Sequence, residues 1–284
     1  MSRQERIAFQ ILKIAAAAVF LGRAWQHLIW DAPYRALLWD EKWMGGIVRR
    51  WFGLEWEDYV TDPLMDNGIQ SWIVATGWLY MVCALICLFI ERLPRWMIWI
   101  AGFGAANLIF LALLYWKERF FLLPELLEYS LQWVTPLLLL WWAYGKSTRG
   151  IWTTVLKIAA SATFVGHAWF ALGWSPTPGL FYTMTMNILG VNQETARLVL
   201  EAAGWLDLLA ALAIWLPGRS AQFGLSYMVL WGFATAFARI WAHWDPLAAG
   251  LFSQQWIHEF VMRFPHFLTP LALWMLIVRY RSQT

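Results

Sequence analysis

LKIAAAAVFLGRAWQHL, residues 12–28, returns 144 positions later as LKIAASATFVGHAWFAL, residues 156–172. GWLYMVCALICLFIERLP (77–94) is matched 127 positions on by GWLDLLAALAIWLPGRSA (204–221), and VTPLLLLWW (134–142) is matched 134 positions on by LTPLALWML (268–276). The chain therefore reads as two tandem units, residues 1–146 and 147–284, joined near YGKSTRG (144–150). Apolar runs of spanning length, around 20 residues, fall near 7–30, 71–91, 95–116, 123–144, 151–174, 196–216, 220–244 and 256–279. The expected fold is all-α: a polytopic membrane protein of eight transmembrane helices, arranged as two four-helix bundles. Four is an even number, so the two copies share one membrane orientation. The basic start and apolar middle of the first run imitate a signal peptide, but the internal copy of that run argues against one.

Composition points the same way. Of 284 residues, 61% are hydrophobic and 14% charged, against about 25% charged in a soluble domain. The formal charge of +3 is too small to indicate a nucleic-acid partner. Many of the 24 tryptophans flank apolar runs, where amphipathic rings suit the membrane interface. Cys83 and Cys87 stand four apart inside an apolar helix, a spacing that would strain a disulfide, so they read as small packing residues.

Basic residues set the orientation. Arg3, Arg6, Lys13, Arg92, Arg95, Lys146, Arg149, Lys157, Arg219, Arg279 and Arg281 share one side with only Glu5 and Glu91. Asp31, Asp40, Glu41, Glu55, Glu57, Asp58, Asp62 and Asp66 lie on the other. The positive-inside rule then puts both termini in the cytoplasm of a bacterial inner membrane. Segments 31–70 and 175–195 face outward as short interfacial helices, and His27 and Asp31 are expected at the interface.

The paired first helices, with a Leu start, an Ala-rich middle, then Gly or His and an aromatic, resemble those of the DoxX family of four-helix membrane proteins. The run LVLEAAGWLDLLAALAIWLP (198–217) is similar to that family's second helix. The resemblance covers both halves and implies a double DoxX-like protein. It also implies a quinone-linked or complex-subunit role, because the family is associated with a membrane subunit of a thiosulfate:quinone oxidoreductase.

The two copies differ in charge. At the offsets above, His167 aligns with Arg23, Asp207 with Tyr80 and Glu201 with Val74. An offset of 128 in the third helix pairs Arg239 with Leu111, His243 with Tyr115 and Asp245 with Lys117. In the fourth, Glu259 pairs with Glu125, Arg263 with Tyr129 and His266 with Gln132. Ionisable groups thus concentrate in the second copy. Thr235, Arg239 and His243 fall on one helical stripe, as do Glu259, Arg263 and His266. With His167, Glu201 and Asp207 they predict one polar pocket facing the periplasm, loosened by Pro270.

Charges at membrane depth cost several kcal/mol and need a partner or a task. An i, i+4 ion pair between Glu259 and Arg263 is the plain alternative, as is a pair of Arg239 with Asp207 or Glu201 that orders the bundle. Three functional readings compete. The first is a quinone or quinol site, because histidine and carboxylates supply hydrogen bonds and protons near neutral pH. There His243, His266, Glu259 and Asp207 would be catalytic, and His167, Glu201, Arg239, Arg263, Trp205 and Trp244 would hold the ligand. The second is an accessory subunit of a respiratory or photosynthetic complex, partnered by other membrane subunits and by lipid. The third is a metal or haem centre on the histidines and acids, without a recognisable ligand-spacing motif. A transporter or lipid-ligand protein is a fourth, smaller possibility. No nucleophile triad, phosphate loop or dinucleotide turn is present.

Overall fold

The computed structural model describes residues 2–145 and 149–277. These form fourteen α-helices, with no strand among the described residues. In chain order they are α1 (Arg3–Ile29), α2 (Arg35–Leu38), α3 (Glu41–Phe52), α4 (Trp56–Thr61), α5 (Pro63–Phe89), α6 (Ile98–Glu118) and α7 (Leu123–Glu128). Then follow α8 (Ser130–Tyr144), α9 (Arg149–Ala171), α10 (Gly179–Leu189), α11 (Gln193–Ala213), α12 (Arg219–His243), α13 (Ala249–Val261) and α14 (Pro265–Ile277). Short 3-10 turns at Arg95–Met97 and Pro246–Ala248 lead into α6 and α13. Lys146, the side chain of Arg149, Arg279, Arg281 and the junction at 146/147 lie outside the described residues.

Local chemistry sets the boundaries. Ser2 and Glu5 form a reciprocal capping box at the start of α1. Asp62 accepts from Leu64 N ahead of Pro63, which tolerates the first helical turn. Asn192 accepts from Thr195 N at the start of α11. Gly190 ends α10 in the left-handed region, where a residue without Cβ sits unstrained.

Five helical stretches are long and apolar enough to cross a membrane: Arg3–Ile29, Pro63–Phe89, Arg95–Glu118, Arg219–His243 and Pro246–Ile277. The sequence predicts eight spans. The other three fall on α8, which has 15 residues, and on α9 and α11, which have 23 and 21; α11 carries Arg197, Glu201 and Asp207. The outward surface is apolar and lacks the polar coat of a water-soluble bundle. Trp99 is 79% exposed, Leu230 72% and Leu212 67%, as expected of side chains that meet lipid. That surface and the five stretches fit an integral membrane protein.

Helix α1 lies at the centre, packed against α5, α8, α13 and α14. Its Ala15–Ala18 run is buried, and small side chains let neighbouring backbones approach. Cys83 and Cys87 are free and buried in the same core, as their spacing suggests.

The tightest helix crossings come in pairs. A Cβ on Gly22 would lie 2.6 Å from Met262 N, and one on Gly166 would lie 2.9 Å from Glu128 N. Gly77 meets Leu28 and His27 as Gly204 meets Leu172 and Ala171. Members of each pair are related by the offsets of 144, 127 and 134. Both expected fourth spans are broken helices: α7 and α8 part at Tyr129, and α13 and α14 at residues 262–264. Pro136 and Pro270 each lie inside the second piece.

Candidate functional site

Two cavities share a wall made by Phe181 and Arg239. The first, about 320 Å³, lies among α9, α10, α11 and α12. Most of its wall is hydrocarbon, from residues such as Ile188, Leu189, Val199 and Leu200, and its polar groups are His167, Asp207, Thr235 and Arg239. The second, about 440 Å³, is polar and opens between the two halves of the chain. Arg119, Glu125, Glu128, Glu259 and Arg263 line it.

At the shared wall the charges are arranged in pairs. Glu259 bonds Arg263, which lies in the break after α13, and stands 3.6 Å from Arg239 Nε and 3.8 Å from His258 Nε2. Glu125 stands 3.9 Å from Arg119. Glu128 Oε1 stands 3.8 Å from His167 Nδ1. His266 donates from Nδ1 to the Arg263 carbonyl, and its ring meets His167 edge to face at 5.6 Å. Phe181 stacks on the other side of His167 at 6.3 Å. Deeper in, Tyr227 donates to Asp207 Oδ1 at 2.9 Å.

Three buried polar atoms here have no hydrogen-bond partner: His167 Nε2, Arg239 Nε and Glu128 Oε1. An unpaired buried group costs about 1–3 kcal/mol. Two of the three belong to side chains lining the apolar cavity.

Of the residues singled out from the sequence, His167, Asp207 and Arg239 meet at the first cavity, and Arg239, Glu259 and Arg263 at the second. His266 touches His167 from behind. The other four lie elsewhere. His243 ends α12, donates to the Arg239 carbonyl and stacks on Trp256 at 3.5 Å. Glu201 pairs with Arg197 on the surface of α11. Trp205 and Trp244, 56% and 60% exposed, meet Trp174 and Phe252 and line neither cavity. Arg239 pairs with Glu259, not with Asp207 or Glu201. His27 is buried in the last turn of α1, donating from Nδ1 to the Arg23 carbonyl at 2.7 Å. Asp31 is exposed, as expected. Among the described residues no three His, Cys, Asp or Glu side chains gather closely enough to hold a metal ion.

Glu125, Glu128 and Arg119 escaped the sequence reading. The signal was the acid spacing in LPELLEY (123–129), a short helix packed on α9 that brings Glu128 to His167 and Glu125 to Arg119. The polar centre around Arg23 escaped it too. Its guanidinium donates to Gln26 and Gln132, both at 2.7 Å, and lies near the Tyr115 and Tyr129 rings.

Contacts also change the register of the third helix. Asp207–Tyr227 repeats the pair Tyr80–Asn107, and Arg239–Glu259 repeats Arg119–Glu125. Both require an offset of 120, not 128, on that helix. Arg239 then corresponds to Arg119, and the supposed gain of an arginine at a leucine position disappears. Comparison with protein families, curated proteins and solved structures returned no match.

Proposed function

We propose that this chain is a quinone- or quinol-interacting subunit of a membrane oxidoreductase, with the apolar cavity holding the ring. The observation that carries the proposal is a pair of basic side chains, His167 and Arg239, each with a buried nitrogen that makes no hydrogen bond, lining a cavity walled by hydrocarbon. A quinone is an apolar ring and tail with two carbonyl acceptors, which suits a hydrocarbon-walled cavity with hydrogen-bond donors at its edge. Ile188, Leu189, Val199 and Leu200 hold the ring and the start of its tail. His167 and the Arg239 guanidinium face a carbonyl oxygen, and Asp207 with Tyr227 stands at the deeper side. Across the shared wall, Glu128, Glu259 and Arg263 offer protons a path into the polar cavity, since carboxylates and histidine exchange protons near neutral pH.

The same proposal takes the chain as two tandem DoxX-like units, each of four helices crossing an inner membrane, with both termini cytoplasmic. The first unit is α1, α5, α6 and α7–α8; the second is α9, α11, α12 and α13–α14. The paired glycine crossings and the two broken fourth helices support it.

Binding of a short-tailed benzoquinone to the full chain in nanodiscs, followed by tryptophan quenching, tests the site. His167→Ala and Arg239→Gln should each weaken binding at least tenfold. Unchanged affinity in both variants would overturn the proposal.

A further inference from the structure

Tyr34 follows α1 on a short turn, yet it is 1% exposed. Its hydroxyl donates to Asn107 Oδ1 at 3.1 Å and lies 3.2 Å from His27 Nε2. Asn107 Oδ1 also accepts from Tyr80 at 2.5 Å. The Tyr34 ring packs on Trp72 at 5.2 Å and on His27 at 5.6 Å, with Ile73 and Leu114 in the same cluster.

Six neighbours have counterparts at the offsets that the contacts define, and Asn107 corresponds to Tyr227. Of the other five, His27 corresponds to Ala171, Trp72 to Val199, Ile73 to Leu200, Tyr80 to Asp207 and Leu114 to Ala234. All five counterparts line the apolar cavity. Histidine, tryptophan and leucine become alanine, valine and alanine, so the second unit leaves open a volume that the first unit fills. Nothing equivalent to Tyr34 enters it: Phe181 stays at the rim, stacked on His167.

We propose that Tyr34 is a built-in copy of the ligand, and that the open cavity takes a hydroxylated aromatic ring, a phenol or a hydroquinone, with its hydroxyl toward Asp207 and Tyr227. This rests on the ring-binding function above and narrows it to the hydroxyl-bearing, reduced form of the ring. In the first unit the ring hydroxyl is a donor to a buried oxygen that Tyr80 shares. In the second, the corresponding oxygens belong to the Asp207–Tyr227 pair. A ring with a hydroxyl makes that bond, and a bare hydrocarbon ring leaves it unmade.

The test uses the full chain in nanodiscs and two probes, 4-methylphenol (the tyrosine side chain) and toluene, which lacks the hydroxyl. Calorimetry should find one 4-methylphenol per wild-type chain, bound at least tenfold more tightly than toluene and abolished by Ala203→Trp, which fills the cavity. Tyr34→Ala should lower the melting temperature, bind a second 4-methylphenol and regain stability with it. If Tyr34→Ala does not fold, the wild type and Ala203→Trp still decide. Equal affinity for the two probes, or phenol binding indifferent to Ala203→Trp, overturns the proposal. If a short-tailed benzoquinone binds in a manner blocked by Ala203→Trp while 4-methylphenol gains nothing over toluene, the quinone site stands and the Tyr34 analogy falls. If neither quinone nor phenol binds, the ring-binding function falls with it.

Discussion

Thr135 and Thr269 hydrogen-bond to each other through their Oγ1 atoms at 2.9 Å, fully buried between α8 and α14. They are 134 positions apart, and each precedes a proline inside its helix. In the proposed tandem pair of units, a residue here meets its own counterpart. An interhelical bond in a membrane bundle averages about 0.6 kcal/mol and rarely exceeds ~1.7. Each single Thr→Val substitution should cost about 0.5–1.5 kcal/mol, and the double variant less than the two added together. A double-mutant cycle on unfolding in mixed micelles measures the coupling; strict additivity would contradict the bond.

Gly22 and Gly166 each sit at a close helix crossing, on Met262 and on Glu128. Gly22→Val or Gly166→Val pushes a side chain into backbone and should destabilise the protein by about 1–3 kcal/mol. Gly68→Ala and Gly102→Ala, whose added Cβ would meet nothing within 4 Å, should be neutral or slightly stabilising. Thermal unfolding of the four variants checks the contrast. Equal losses at all four would show that helix propensity, and not close approach, governs these positions.

Removing Glu259 leaves Arg239 and Arg263 facing each other without their shared carboxylate. Breaking a dry ion pair costs about 3–5 kcal/mol; with Glu259 partly open to the polar cavity, Glu259→Gln should cost less, about 2–3 kcal/mol. Glu259→Gln combined with Arg263→Gln should recover part of that loss. Denaturant unfolding separates the cases, and a double variant worse than the single would refute the arrangement.

Acid should loosen two contacts at the ends of the bundle. Lys117 donates to Asp40 Oδ2 at 2.5 Å and holds that carboxyl below the usual aspartate range. Lys13 donates to Glu91 at 2.6 Å, with Gln10 adding a second bond, and lowers Glu91 likewise. A carboxylate whose folded pKa is depressed stabilises the fold above its unfolded value, near ~4, and loses that contribution as pH falls through the folded value. The melting temperature should therefore fall between about pH 4 and pH 3, and Asp40→Asn with Glu91→Gln should flatten that limb. An unchanged slope in the double variant would rule the contacts out as its cause.

Much of the packing was legible because small residues and prolines mark where helices cross. Gly22 and Gly166 recur in the sequence and each sits at a close crossing, while Thr135 and Thr269 recur and meet each other. The third helix was harder. Matching Trp116 to Trp244 gave a register eight residues off. Eight residues is just over two helical turns, so an apolar stripe fits itself almost as well at either setting. Only contacts such as Tyr80–Asn107 and Asp207–Tyr227 distinguish the two.

The site was half legible for a similar reason. Periodicity correctly put Arg239 and His243 on one stripe, but α12 ends at His243, whose ring stacks on Trp256 and lines neither cavity. Glu128 went unseen because it reaches His167 from the other half of the chain, a relationship that no single helix records.

Because Tyr34 hangs on a short turn from α1, its phenol never leaves the neighbourhood of its pocket. A ring tethered that closely acts at an effective concentration of millimolar or more. A free ring of ordinary affinity cannot displace a competitor that is always present at that level. One unit is thus permanently saturated by its own chain, and the protein's occupancy by any outside ring is limited to a single molecule.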